Sequence, residues 1–185
     1  MEQSLELISR TGTEASFDFA FSAASFLRES PIQSIVHSFK YDEMPRLAEH
    51  IGRAMGERCP DLKTKFDLLL PVPLHRTRFA ERGYNQAELL SHGIAEVLGI
   101  AVVPRKTVQR IRPTPTQTAL DVHERLENVR GAFGVSTRHA TMLRSRSILI
   151  VDDVMTTGAT ISSLAEALLP CKPAALGFAT FATVD

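Results

Sequence analysis

The run Ile148-Leu149-Ile150-Val151-Asp152-Asp153-Val154-Met155-Thr156-Thr157-Gly158-Ala159-Thr160 constrains the fold more than any other part of the chain. Ser147 to Val151 is a continuous apolar stretch of the kind that a parallel sheet buries on both faces. It ends in two carboxylates and a Gly-Thr turn. A helix then runs to Leu169, with Ile161, Leu164, Ala165 and Leu168 on one face and Pro170 as its stop. A strand that passes through a tight turn into a helix puts that turn at the carboxyl edge of an α/β sheet, where open folds of this class bind ligands.

The turn has readable chemistry. Backbone N–H groups at the start of the helix, the hydroxyls of Thr156, Thr157 and Thr160, and the helix dipole together make a seat for a phosphate. Gly158 lets the backbone approach the anion with no side chain in the way. Asp152 and Asp153 can then accept hydrogen bonds from sugar hydroxyls beside that phosphate, so the run suits a 5′-phosphorylated ribose. The same residues also fit an N-cap and a plain turn. The full succession, from apolar strand through acidic pair and Thr-Thr-Gly-Ala-Thr to apolar helix, favours the phosphate seat.

The rest of the chain repeats the strand–loop–helix rhythm. Phe17, Phe19 and Phe21 alternate with period two and predict a strand; Leu47, Ile51 and Met55 predict a helix over Met44 to Met55. Asp67 to Leu70 reads as a buried strand running into the rigid Pro71-Val72-Pro73-Leu74 loop. A helix is expected over Tyr84 to Leu98 with Gly99 as its stop, then short strands at Ile100 to Val103 and Ala132 to Val135, and a final strand over Ala174 to Val184. The expected fold is α/β, a central and mostly parallel sheet flanked by helices. Residues 1–41 are expected to form an N-terminal hood or extension, and residues 42–185 the main domain.

Charge sharpens this picture. The net charge is +0, which argues against coating a nucleic acid by bulk charge, but it conceals a basic middle. Val72 to Arg146 carries 12 Lys+Arg against 6 Asp+Glu, while the segments before and after it are each acidic. In His75 to Gln86 the arginines Arg76, Arg78 and Arg82 gather between a strand and a helix, and Gly83 stands just before the helix, an arrangement suited to pyrophosphate. His75 reads as a surface or capping histidine. Arg105 to Arg130 is polar, carries Pro113 and Pro115, and reads as a long pliable arm of the kind a closing lid needs.

Composition excludes other classes. Two cysteines, Cys59 and Cys171, cannot build a zinc ribbon or a disulfide framework, and reduced thiols suit a cytoplasmic protein. No apolar run approaches the roughly 20 residues that span a bilayer, and Met1 to Arg10 lacks the long apolar core of a secretory signal. Phe79, Tyr84 and Phe133 are the aromatics of the basic middle, a thin platform for stacking single-stranded DNA.

The central run resembles the phosphoribosyl pyrophosphate (PRPP) motif of type I phosphoribosyltransferases. Taken with Pro71-Val72-Pro73-Leu74-His75, Arg82-Gly83-Tyr84-Asn85-Gln86, the Gln117…Leu120…Arg125…Asn128-Val129 series and Phe39-Lys40-Tyr41, it resembles the ComF/GntX family across roughly Ile32 to Asp185. The resemblance implies a type I phosphoribosyltransferase fold with a small hood and a flexible lid. It implies that Thr156, Thr157, Gly158, Ala159 and Thr160 hold the 5′-phosphate and that Asp152 and Asp153 contact the ribose hydroxyls. Pyrophosphate would lie against Pro73, Arg82 and Gly83; Lys40 either joins them or stands as an exposed residue. The lid would use Arg110, Gln117, Arg125 and Asn128. Mg2+ would arrive with PRPP, without a protein cage. The implied activity is phosphoribosyl transfer to an unidentified acceptor, linked to DNA uptake in natural competence. The alternative is a catalytically silent PRPP or nucleotide sensor that acts on a DNA-uptake helicase. A homodimer is a further expectation, direct nucleic-acid binding a weaker one, and membrane association is not expected. The four-cysteine zinc ribbon that begins many members has no counterpart here.

Overall fold

Parallel pairing of apolar strands organises the chain. The computed structural model describes residues 2–26, 45–112 and 129–184. These form α1 (Glu2–Ser9), β1 (Phe19–Phe26), α2 (Pro45–Arg58), α3 (Leu62–Lys65), β2 (Leu68–Pro71), α4 (Arg76–Arg82), α5 (Gln86–Leu98), β3 (Ala101–Val102), β4 (Val108–Arg110), β5 (Phe133–Val135), α6 (Ala140–Leu143), β6 (Ser147–Met155), α7 (Ala159–Leu168), a short 3-10 turn (Leu169–Cys171) and β7 (Ala175–Val184).

The main sheet has five strands in the order β1-β7-β6-β2-β3, all paired in parallel, as the sequence pattern predicts. β6 lies at its centre, with Leu149 in register with Leu69 on one side and Gly177 on the other. Strand alternation sends Ile148 and Ile150 into one core with Phe178 and, from α7, Ile161 and Leu164. Leu149 and Val151 enter the opposite core with Met55 of α2 and Leu90 and Ile94 of α5. Each fully buried side chain of this size contributes about 1.5–3 kcal/mol, so the continuous apolar run fixes β6 between two helical layers.

Glycine sets the spacing of the α2–α5 layer. A β-carbon on Gly52 would lie 2.2 Å from the Leu90 carbonyl oxygen, and one on Gly93 would lie 2.2 Å from that of Glu49. The two backbones therefore touch directly where these helices cross. On the other face α1 packs Ile8 into the core beside α7. The Thr11 hydroxyl donates to the Ile8 carbonyl at 2.7 Å and lies 2.8 Å from the Ser162 hydroxyl, tying α1 to α7.

Four readings of the sequence change. β6 continues four residues past Val151 and takes in both aspartates. The segment read as a basic loop folds after its first residues into α4, and α5 begins at Gln86 rather than Tyr84. The long polar arm opens with β4, which pairs antiparallel with β5. Residues 2–9, read only as lacking an apolar core, form α1. Within the expected N-terminal extension, residues 19–26 join the main sheet through β7, and the boundary at 41 lies outside the described residues. No helix among the described residues is long and apolar enough to cross a membrane.

Candidate functional site

β2 and β6 are neighbours, but their chains leave in opposite directions along the sheet, from β2 to β3 and from β6 to β7. Such a switch point opens a crevice outside the carboxyl ends of the two strands. The Val72 amide donates to the Val151 carbonyl at 2.9 Å just before the chains diverge. Asp152 to Thr160 enters the crevice from β6, and Val72 to Arg82 enters it from β2.

The aspartates are set by their own backbone. Asp152 Oδ1 accepts from the Asp153 amide at 2.9 Å, and Asp153 Oδ1 accepts from the Val154 amide at 2.8 Å. Both residues are half-buried, and each carboxylate is oriented by the N–H of the residue that follows it. Beyond them Gly158 takes φ +77°, the left-handed region that glycine tolerates. Its carbonyl accepts from Ser162 at 2.9 Å and so opens α7. Thr157 Oγ1 lies 3.4 Å from the Ala159 amide that donates to it. Gly158 and Ala159 are buried, Thr157 and Thr160 half-buried, and Thr156 exposed. The burial comes from α1: a β-carbon on Gly158 would lie 2.9 Å from Ile8 Cδ1 and 3.4 Å from the Leu7 carbonyl oxygen.

The opposite wall is built on Asn85. Its side-chain amide donates to the Val72 carbonyl at 3.0 Å, and its Oδ1 accepts from the Ala87 amide at 3.1 Å. One buried side chain thus caps α5 and holds the Val72–His75 turn. His75 caps α4, its Nδ1 accepting from the Thr77 amide, as its capping reading predicts. Gly83 ends α4 at φ +76° with open space around its α-carbon, so backbone conformation alone requires glycine there. Arg82 lies in the last turn of α4, 3.4 Å from Gln86 Oε1.

Between α4 and β4 lies a cavity of about 550 Å3, with Pro73 and Arg110 among the residues that line it. The Arg105 guanidinium sits 4.1 Å from the centroid of the Phe79 ring and pairs with Glu88 at 2.5 Å. Burial holds the Arg110 guanidinium below the usual arginine range; the charge of Asp152 opposes that shift and Arg78 adds to it. Arg110, a residue of the cavity lining, therefore also feels the charge of Asp152.

Pro73 and Arg110 thus share one cavity, while Arg82 and Gly83 stand outside its lining at the α4–α5 junction. Lys40, Gln117, Arg125 and Asn128 lie outside the described residues. Asn85, Phe79, Arg105 and Ile8 emerge from the structure. Asn85 immediately before a helical pattern carries an N-cap signal, whereas the Arg105–Phe79 and Ile8–Gly158 contacts have no local signature.

Residues 39–184 match the family model described as "Phosphoribosyl transferase domain". The chain belongs to the phosphoribosyltransferase family. It is similar to a "DNA utilization protein YhgH" of Salmonella typhimurium, 33% identical over 144 residues, covering 75% of this chain and 61% of the relative. "Competence protein F" of Haemophilus influenzae is 30% identical, covering 75% and 62%. The YhgH protein of Escherichia coli strain K12 is 30% identical, covering 75% and 61%. These names agree with the ComF resemblance carried by the sequence motifs. The match spans less than two thirds of the length of these curated relatives. The phosphoribosyltransferase domain presents no group of three or more His, Cys, Asp or Glu side chains able to hold a metal among the described residues. Carboxylates such as those of Asp152 and Asp153 are of the type that would hold Mg2+ once ligand phosphates and waters fill the rest of its shell.

Proposed function

We propose that this chain binds PRPP with Mg2+ and transfers its phosphoribosyl group to an acceptor. The observation that carries the reading is the pairing, across one switch-point crevice, of the Asp152–Thr160 run with the Asn85-held turn and the arginines that follow it. In this reading the amides at the start of α7 and the hydroxyls of Thr156, Thr157 and Thr160 bind the 5′-phosphate. Asp152 and Asp153 accept from the ribose 2′- and 3′-hydroxyls and so orient C1. Pro73, Arg82 and Gly83 border the pyrophosphate, with Arg82 supplying charge. Mg2+ arriving with PRPP would supply positive charge against the charge that develops on the departing pyrophosphate. The acceptor lone pair forms the new bond at C1, the C1–O bond breaks with its electrons leaving on pyrophosphate, and the acceptor proton passes to solvent.

A role in DNA uptake is supported by the words "DNA utilization" and "Competence" in the names of the relatives. Calorimetric titration with Mg2+-PRPP tests the site. Asp153→Asn and Thr157→Ala are expected to weaken binding at least tenfold, and unchanged affinity in both would overturn the assignment. Pyrophosphate release that depends on one member of an acceptor panel would establish turnover; binding without release would favour a PRPP sensor.

A further inference from the structure

The end of α1 and the first turn of α7 are joined in a closed ring of contacts. The Ser162 amide donates to the Gly158 carbonyl at 2.9 Å where α7 opens. The Ser162 hydroxyl is buried and lies 2.8 Å from that of Thr11. The Thr11 hydroxyl lies in turn 2.7 Å from the Ile8 carbonyl oxygen, an atom that can only accept, so the Thr11 hydrogen points there and Ser162 donates to Thr11. Ile8 closes the ring, because a β-carbon on Gly158 would lie 2.9 Å from its Cδ1.

This ring encloses the turn proposed above as the phosphate seat. The amides of a helix's first turn have no acceptor within the helix, and they converge on an anion only while that turn keeps its shape. Gly158, at φ +77°, has no side chain with which to hold its own conformation. The hold comes from α1, and α1 is conditional. It is a helix of eight residues, below the roughly 12 that an isolated helix needs for marginal stability in water. It is helical because Ile8, with Leu5 and Leu7 beside it, packs on the core that α7 shares. Docked and undocked are therefore its two states, and the ring exists in the docked one alone. We propose that Ile8, Thr11 and Ser162 are positioning residues and that α1 is a clamp: its docking fixes the first turn of α7 for an anion, so anion occupancy and α1 docking favour each other. That the anion is the 5′-phosphate of PRPP rests on the phosphoribosyl-transfer reading; the hold of α1 on the turn does not.

Amide hydrogen exchange of the full chain, followed by NMR with and without Mg2+-PRPP, tests the clamp. Thr11→Val keeps the shape of the side chain and removes both hydroxyl bonds. Ser162→Ala breaks the same link from the α7 side with a better helix former, and Thr11→Ser, which keeps the hydroxyl, is the rescue. A thermal midpoint checks that each variant is folded. Without ligand, Thr11→Val and Ser162→Ala are expected to speed exchange of the Glu6–Arg10 and Ser162–Ala165 amides together by about fivefold, the factor that one hydrogen bond is worth. Ile94→Val, a comparable loss in the opposite core, should leave both groups unmoved. Mg2+-PRPP affinity is expected to fall by about the same factor in Thr11→Val and to return in Thr11→Ser. In the unsubstituted protein Mg2+-PRPP should slow exchange across α1, because local opening of that helix responds to the ligand only if opening and binding are linked. Exchange at Ser162–Ala165 that is unchanged in Thr11→Val, or that rises equally in Ile94→Val, would overturn the proposal. So would a PRPP affinity that stays at the wild-type value while the turn loosens. If the unsubstituted protein does not bind Mg2+-PRPP, the transfer reading fails, and the unliganded exchange decides by itself whether α1 holds the turn.

Discussion

Ile8 of α1 is packed against Gly158 of the β6–α7 turn so closely that a β-carbon on the glycine would lie 2.9 Å from Ile8 Cδ1. The N-terminal helix is therefore the backing of the proposed phosphate seat. Gly158→Ala meets both that contact and a left-handed backbone at φ +77°. The backbone alone costs roughly 1–2 kcal/mol. The expected outcome is a drop in unfolding free energy of at least that size in urea denaturation, with Mg2+-PRPP affinity reduced at least tenfold. A variant with wild-type stability and affinity would show that the turn does not need glycine.

Asn85 joins two elements through one side chain, so its loss should register in both. Asn85→Ala removes the cap of α5, worth about 1 kcal/mol, and withdraws the donor from the Val72 carbonyl, which adds about 1–3 kcal/mol if that group stays buried. The expected result is a lower midpoint of denaturation together with weaker Mg2+-PRPP binding. Asn85→Asp keeps the acceptor for the Ala87 amide but cannot donate to Val72 when ionised. It should recover much of the stability while leaving ligand affinity low. Equal recovery of both quantities would mean that the tie to Val72 does not shape the turn.

The part of this molecule legible in the sequence is the part written in contiguous residues. The apolar stretch from 147 reads as an inner strand, and the acid–Thr–Gly turn after it reads as a ligand seat at the carboxyl edge of the sheet. The continuation of β6 through Asp152 and Asp153 was not legible. Aspartate is a poor strand former, and here each carboxylate occupies the next amide of its own strand. Helix α4, with the sequence Arg-Thr-Arg-Phe-Ala-Glu-Arg, has no buried residue and no apolar stripe. Its limits are set by His75, which reads as a capping histidine, and by Gly83, which reads as standing before the next helix, but nothing between them marks a helix. α1 is short, and its place comes from contacts with α7, more than 140 residues away in sequence, so no local pattern announces it. The Arg110–Asp152 coupling is of the same tertiary kind.

The α2–α5 crossing should tolerate no side chain at its closest points. Gly52→Ala and Gly93→Ala would each place a methyl group 2.2 Å from a carbonyl oxygen of the facing helix. Backbone cannot yield there as a flexible side chain would, and overpacking of this kind costs about 1–3 kcal/mol. Both variants are expected to denature at lower urea concentration, and the fraction that remains folded should bind Mg2+-PRPP with unchanged affinity, because neither glycine belongs to the segments that enter the crevice. A stable Gly93→Ala protein would mean that the helices are farther apart than described.

Thr180 gives a prediction of opposite sign. It is fully buried on β7, in register with Asp152, and its hydroxyl has no hydrogen-bond partner among the described residues. A buried hydroxyl without a partner costs about 1–3 kcal/mol by desolvation. Thr180→Val keeps the shape and removes the hydroxyl, so it should leave the unliganded protein as stable as before or raise its stability by about 1 kcal/mol. Urea denaturation of the unliganded variant checks this. Destabilisation by more than about 1 kcal/mol would mean that the hydroxyl is bonded in the folded protein. Mg2+-PRPP affinity is the second readout. If the hydroxyl helps to set Asp152 when the ribose binds, the valine variant gains stability and loses affinity together, a combination that a purely structural threonine does not produce.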